Sequence, residues 1–349
     1  MKGHMMFSKR WGLSALVAAG ALLVAGCTSS TPGASEAPEP SEDLADATEV
    51  TLGLTYIPNV QFAPSYVAKE KGYFADENVD VEIRHHGADE GLFTSLLAGE
   101  EDLVIATGDE MLQARSQGMD LISVGQYYAK YPVVVIVKED SDIKTIEDLK
   151  GKTVGLPGEF GSNWYGLLAA LSEAGMTRDD ITVSAIGFTQ LAALQTDKVD
   201  AVVGFTNNDS VQFALADVEI REIPLVPDGN PPLVGANVVT TSQFAHANPE
   251  AVEGVLAALR EGKQLCVDDP DAAVEITKKY DPNLNTEQTV EAATATLKAT
   301  NELFADNGVV TMEQDLEVWK AMNEFLQTVD GLLGASVDLN EAVTNDYIR

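Results

Sequence analysis

From Glu49 onward the chain alternates between two hydrophobic periods. Val50, Leu52 and Leu54 alternate with Thr51, Gly53 and Thr55, the period of two expected of a half-buried strand. A turn at Pro58-Asn59 follows. A helical pattern then runs over 61–71, with Pro64 in its first turn, where a missing amide hydrogen costs nothing. Residues 79–84 read as a second strand. Residues 89–98 read as a helix with Leu92, Phe93, Leu96 and Leu97 inward, and 102–106 as a third strand leading into a helix near Asp109. Strand patterns at 122–124 and 133–137 continue the series. Strands separated by helices at this spacing predict an α/β fold with a parallel-rich sheet.

The pattern restarts after Leu149-Lys150-Gly151-Lys152. Strands are expected at 153–156, 181–186 and 199–204, and helices at 164–174 and 190–195. One element recurs. Residues 96–105 (LLAGEEDLVI) resemble residues 194–203 (LQTDKVDAVV): each is a helix end, a short polar turn, an aspartate and an apolar strand. The restart and this echo point to two lobes built alike. Beyond Asn248 the pattern is helical, at 249–265, 272–280, 286–304, 312–326 and 340–347. Two β-rich stretches, 131–138 and 234–241, are placed to carry the chain between lobes. Lobe 1 is then 49–137 together with the mainly helical 240–349, and lobe 2 is 138–239.

The first 48 residues break this pattern. Lys2, Lys9 and Arg10 precede an apolar run over 11–25, too short to span a bilayer and of signal-peptide length. The run ends at Val24-Ala25-Gly26-Cys27, which resembles the lipobox of bacterial lipoproteins, with residues 1–26 as signal peptide and Cys27 as the lipidated new N-terminus. Residues 27–48 are rich in Ser, Pro, Ala and acid with Leu44 as their one large apolar residue, a composition that cannot offset the entropy of ordering and reads as a flexible tether. With Cys27 acylated, Cys266 has no partner, so no disulfide framework is expected and Cys266 reads as a small core residue. Losing the three leader cations takes the net charge from −33 to −36, a surface that repels nucleic acid and anionic lipid headgroups.

The run Tyr56-Ile57-Pro58-Asn59-Val60-Gln61-Phe62-Ala63-Pro64-Ser65-Tyr66-Val67-Ala68, followed by Lys71-Gly72-Tyr73-Phe74, resembles the opening of the thiamine-pyrimidine-precursor binding proteins. These belong to the substrate-binding proteins of ABC importers, with the taurine and aliphatic-sulfonate binders. Residues 97–99 with Asp102, 146–152, 199–204 followed by Asn207-Asn208-Asp209, and 343–347 are similar too. The resemblance implies a two-lobed type II periplasmic-binding fold with the ligand cleft between lobes. It also implies a monomer on the outer face of the cytoplasmic membrane, with a permease and an ATPase as partners. One branch of the family, the fungal thiamine-pyrimidine synthase, consumes its own histidine and uses a cysteine-rich motif. No cysteine lies between Cys27 and Cys266 here, so that chemistry is not expected.

Ligands of open α/β sheets sit beyond the carboxyl ends of the strands. Four turns there carry polar or aromatic residues. In the first, Tyr56 and Phe62 are candidates to stack on a flat ring and Asn59 to hydrogen-bond it, or else to form a plain turn over core aromatics. In the second, Asp109 is a helix cap or a ligand contact. The third runs from Pro157 through Glu159 and Ser162 to Trp164 and Tyr165, whose rings are platforms or core. The fourth holds Asn207, Asn208 and Asp209, with Asn207 matching Asp109 in the register of the recurring element. These turns contain Asp109, Glu110, Glu159 and Asp209 and no Lys or Arg, so a desolvated sulfonate is disfavoured there. An aminopyrimidine is expected, Glu159 or Asp209 binding its amino edge. Riboflavin would suit Asn207 and Asn208, and taurine is a third option.

Other chemistry is not expected. His85 and His86 are adjacent and on a strand face opposite sides, so they read as strand-end or surface residues rather than a metal pair. There is no Gly-x-Ser-x-Gly elbow. No catalytic residue, cofactor, metal or nucleic-acid partner is assigned. An enzyme or sensor domain on the same fold is the rival of another class.

Overall fold

The computed structural model describes residues 47–86, 90–306 and 308–349; the leader, the Cys27 lipobox and nearly all of the tether read above lie outside them. Ten strands form two five-stranded sheets. The first contains β1 (Thr48–Leu54), β2 (Val79–His85), β3 (Leu103–Thr107), β4 (Ile122–Gln126) and β10 (Ala236–Thr240), in the order β2-β1-β3-β10-β4. The second contains β5 (Val133–Lys138), β6 (Thr153–Leu156), β7 (Thr182–Ala185), β8 (Ala201–Phe205) and β9 (Ile220–Pro224), in the order β7-β6-β8-β5-β9. The two orders are the same: second, first, third, inserted strand, fourth.

The inserted strand explains the form of the molecule. β1, β2 and β3 run parallel, as do β6, β7 and β8. β10 is antiparallel to β3 and β4, and β5 is antiparallel to β8 and β9. Each inserted strand arrives from the other lobe. It enters at the sheet edge where the parallel strands end, Ala236 opposite Thr107 and Val133 opposite Phe205, and so must run backwards. The chain therefore crosses at 127–132 and 225–235. The sequence reading placed β5 in lobe 1 and most of β10 in lobe 2. The sheets place both the other way, because a β-rich stretch near a boundary looks alike whether it precedes or follows the crossing.

The recurring element is structural. Gly99 and Asp197, at matching positions, both have left-handed backbones, with φ of 73° and 54°. Three residues on, a matched pair binds equivalent strands: the Asp102 carboxylate accepts from the Thr51 amide at 2.8 Å, and Asp200 accepts from the Thr153 amide at 2.7 Å. The expected helix over 89–98 is shorter, Thr94–Ala98, with Leu97 exposed.

Lobe 1 has a shared core. Leu52, Leu54 and Tyr66 from its first part pack with Val252, Leu259, Cys266, Leu297 and Phe304 from its helical second part. The helix Pro249–Asp268 lies directly on the helix Ala63–Glu70, and Gly262 marks the closest approach: a Cβ there would press into the Pro64 carbonyl. Its neighbour Lys263 is fully buried and donates to the Thr311 carbonyl at 2.7 Å and the Gln126 carbonyl at 3.3 Å, which ties down the end of β4 where the first crossing starts. Among the described residues no helix is long and apolar enough to cross a membrane.

Gly262→Ala tests this packing by its sign. In an exposed helix the change stabilises by about 1 kcal/mol. Here overpacking predicts a loss of about 1–3 kcal/mol, measured by urea unfolding.

Candidate functional site between the lobes

The carboxyl ends of the parallel strands in the two sheets face each other, and Asp109 stands between them. It sits in the first turn of the helix Gly108–Ser116, directly after β3, and is fully buried. Ser162, in the first turn of the helix Gly161–Glu173 of lobe 2, donates its hydroxyl to the Asp109 carboxyl at 3.1 Å. Tyr131, on the first crossing, places its hydroxyl 2.7 Å from Asp109 Oδ2 and 2.8 Å from the Ser162 carbonyl. Thr107 Oγ1 lies 2.6 Å from Asp109 Oδ1 and 2.5 Å from Glu110 Oε2. A second bond between lobes runs from the Tyr165 hydroxyl to Gln113 Oε1 at 2.6 Å.

Counting hydrogens shows where this cluster can take up a proton. The Thr107 and Tyr131 hydroxyls carry one hydrogen each, and each has two acceptors in reach. With both acids ionised, two of the four short O···O approaches hold no hydrogen. A proton on Glu110 lets it donate to Thr107, which donates to Asp109. The energetics agree. Burial raises the Asp109 carboxyl above its ordinary range. Burial and then the neighbouring Asp109 charge push Glu110 up to about 7.

The other expected site residues are placed as follows. Tyr56 is 44 % exposed at the end of β1, and its ring centroid lies 6.5 Å from that of Phe188, which follows β7 in lobe 2 and is 73 % exposed. Asn59 accepts from the Gln61 amide at 3.0 Å, a local cap, and Phe62 packs on the lobe 1 core. Glu159 is half exposed and pairs with Arg178 of its own lobe at 2.7 Å, so its carboxylate is already neutralised. Trp164 is wedged between the apolar clusters of both lobes. Asn207 is fully buried; its amide donates to Thr300 Oγ1 at 3.1 Å and its oxygen has no hydrogen-bond partner among the described residues. Asn208 precedes the helix Asp209–Leu215 without capping it through its side chain. Asp209 accepts from the Phe205 amide at 2.8 Å and is pushed up to about 6 by burial.

Between the lobes lies a cleft of about 300 Å³, lined by Leu92, Phe93 and Met119 of lobe 1 and Phe160 and Tyr165 of lobe 2, with Glu110 on its wall. Sequence reasoning singled out neither Phe160 nor Phe188. Both follow strands directly, which was the available signal. The histidines do face opposite ways. His85 contacts the Tyr66 hydroxyl at 3.1 Å, and His86 contacts Glu101 at 2.9 Å. His86, however, is buried rather than a surface residue. Among the described residues, His86, Glu90 and Glu101 bring donor atoms within 4.8 Å of one another. Arg84 bridges the two glutamates at 2.7 and 2.6 Å, so a guanidinium already supplies the positive charge there.

A family model described as NMT1/THI5 like matches residues 59–273. The chain belongs to this family. It is 33 % identical over 339 residues to the riboflavin-binding protein RibY of Chloroflexus aurantiacus, covering 94 % of this chain and 95 % of that one. It is 24 % identical to a 4-amino-5-hydroxymethyl-2-methylpyrimidine phosphate synthase of Legionella pneumophila, covering 86 % and 92 %. Among solved structures it resembles the periplasmic aliphatic sulphonate binding protein SsuA of Escherichia coli, with a TM-score of 0.67 and 22 % identity, covering 84 % of this chain and 96 % of that one. The two-lobed type II periplasmic-binding fold expected from the sequence is the fold found.

The acid pair sets a pH dependence. The folded value of Glu110 lies above its ordinary 4.5, so the native protein holds a proton that the unfolded chain releases between about pH 4.5 and 7. Stability from this group is complete below that window and lost as pH rises through it. The Tm of the wild type, taken relative to Glu110→Gln, is expected to fall between pH 5 and 8.

Proposed function

We propose that this protein is the extracytoplasmic solute-binding component of an ABC importer, held at the membrane by lipid on Cys27, and that its cargo is a flat, non-anionic heteroaromatic molecule. The observation that carries the cargo is the make-up of the cleft. The exposed ring of Phe160 lines it, and beyond that lining Tyr56 of lobe 1 and Phe188 of lobe 2 form an exposed ring pair between the lobes. The acid on the cleft wall, Glu110, contacts the Thr107 hydroxyl, and Asp109 beside it is buried among hydroxyls rather than cations. An anion beside such carboxyls is disfavoured once water is excluded, which argues against sulfonates.

Riboflavin is favoured first. The riboflavin-binding relative matches almost the whole chain, and a ring system suits platforms contributed by both lobes. A thiamine-type aminopyrimidine is the second reading, supported by the relative named for that pyrimidine. The carboxylate first suggested for its amino edge, Glu159, is engaged with Arg178. A binding role is favoured over catalysis, since Cys266 is fully buried in the lobe 1 core, where burial raises its thiol and suppresses thiolate formation.

Calorimetry against riboflavin, the aminopyrimidine and taurine tests the cargo. Riboflavin is expected to bind, and taurine binding with neither heterocycle would overturn the reading. Phe188→Ala should weaken riboflavin binding by about two- to tenfold, the worth of one aromatic contact, with Phe188→Tyr near neutral. In cells, Cys27→Ser should move the protein from the membrane to the soluble fraction.

A further inference from the structure

We propose that Glu110 reads the ligand, its carboxylic acid pairing with an adjacent hydrogen-bond donor and acceptor on one edge of an uncharged heteroaromatic ring, the pattern of a cyclic imide, lactam or aminopyrimidine. The inference rests on the cargo class argued above and names the residue that selects within it.

Three observations carry it. First, among the described residues lining the cleft between lobes, Glu110 alone has an acidic or basic side chain; the surrounding wall is apolar, amide, hydroxyl or phenolic. Second, its two oxygens are used unequally. Oε2 contacts the Thr107 hydroxyl at 2.5 Å, whereas Oε1 makes no hydrogen bond among the described residues. Oε1 points across the cleft at Gly161, where it lies 3.2 Å from the position a Cβ would take. Gly161 also has a left-handed backbone, φ 67°, so lobe 2 meets the carboxyl with open backbone rather than a side chain. Third, the hydrogen count around Thr107 is completed when Glu110 carries a proton. A neutral carboxylic acid both donates and accepts, and its two oxygens match the spacing of neighbouring N–H and C=O or ring-nitrogen groups. To engage a ligand in this way the acid turns its proton from Thr107 to the cleft, and Thr107 keeps its bond to Asp109.

The groups facing Glu110 are consistent with a neutral acid. From its own helix come Asp109, Gln113 and Gln117; from lobe 2, Tyr165 and the Gly161 backbone; and, among the described residues across the cleft, Gly91, Leu92, Phe93 and Thr94. Its pKa near 7 follows from burial and the Asp109 charge, so the group titrates in the physiological range.

The test is riboflavin binding followed by quenching of flavin fluorescence, on the full chain, from about pH 5 to 9. The flavin ring stays uncharged over most of this range. Wild-type affinity should fall as pH rises through about 7, because a carboxylate can no longer donate to the ring acceptor. Glu110→Gln, whose amide both donates and accepts at every pH, should bind with a flat profile. Glu110→Ala should bind at least about tenfold more weakly than the wild type at pH 6, the worth of one to two hydrogen bonds. Circular dichroism of both variants confirms folding. Wild-type affinity independent of pH, or Glu110→Ala binding as tightly as the wild type, overturns the role of Glu110 while leaving the cargo class standing. If the wild type binds neither riboflavin nor the aminopyrimidine, the cargo reading fails and the role of Glu110 with it.

Discussion

The structure depends on two strands that enter their sheets from the far side. β5 and β10 run against otherwise parallel sheets because each begins where the chain arrives from the other lobe. A chain that crosses twice at one edge creates two lobes joined by two segments, 127–132 and 225–235, and a cleft bounded by the carboxyl ends of the parallel strands. Everything polar in the candidate site follows from that geometry, because those strand ends are also where helices begin and where backbone amides lack partners within the helix. The crossings are held firmly. The amides of Tyr127 and Tyr128 both reach the Ala236 carbonyl at 2.8 Å, and Lys263 ties the end of β4 to the C-terminal half of lobe 1.

Across the cleft, besides the apolar packing of Trp164, Tyr165 and Ala169 on lobe 1, four specific contacts join the lobes: Asp109 with Ser162, Gln113 with Tyr165, Asn207 with Thr300 and Tyr56 with Phe188. Three of these are hydrogen bonds of buried or partly buried groups and one is an exposed ring pair. The acid pair gives the cleft its electrostatic character. An aspartate buried without a cation would be costly as an anion, and the ring of hydroxyls from Thr107, Tyr131 and Ser162 offsets this by sharing protons with it. The same arrangement disfavours anionic solutes, although the fold is also that of a sulphonate binder. Fold and cargo separate here: the sheets are those of the wider structural class, while the side chains at the strand ends choose the solute.

Much of the fold was legible because it depends on local periodicity. The strands at 50–54, 79–84, 103–106, 153–156 and 201–204 show alternating or continuous apolar runs, and the helix at 190–195 is found at those residues. The faint echo between residues 96–105 and 194–203 was legible for a reason of its own. A left-handed turn position followed three residues later by an aspartate that caps the neighbouring strand is a recipe written in adjacent residues, and the structure uses it twice. The lobe boundaries were displaced by one strand each. Hydrophobicity marks that a strand is buried and carries no mark of which sheet buries it.

The site divides along the same line. Sequence alone determined that acids, amides and aromatics gather in the strand-to-helix turns without a lysine or arginine among them. Those are properties of neighbouring residues. Only the tertiary structure decided which of these groups meet. It paired Glu159 with Arg178, nineteen residues away, and removed it from the cleft wall. It also buried Asp109 under hydroxyls from the crossing and the opposite lobe, and left Oε1 of its neighbour Glu110 facing open backbone at Gly161. The charge state and availability of a carboxyl depend on what lies within a few ångströms of it, and in this protein those neighbours come from segments tens of residues apart in the chain.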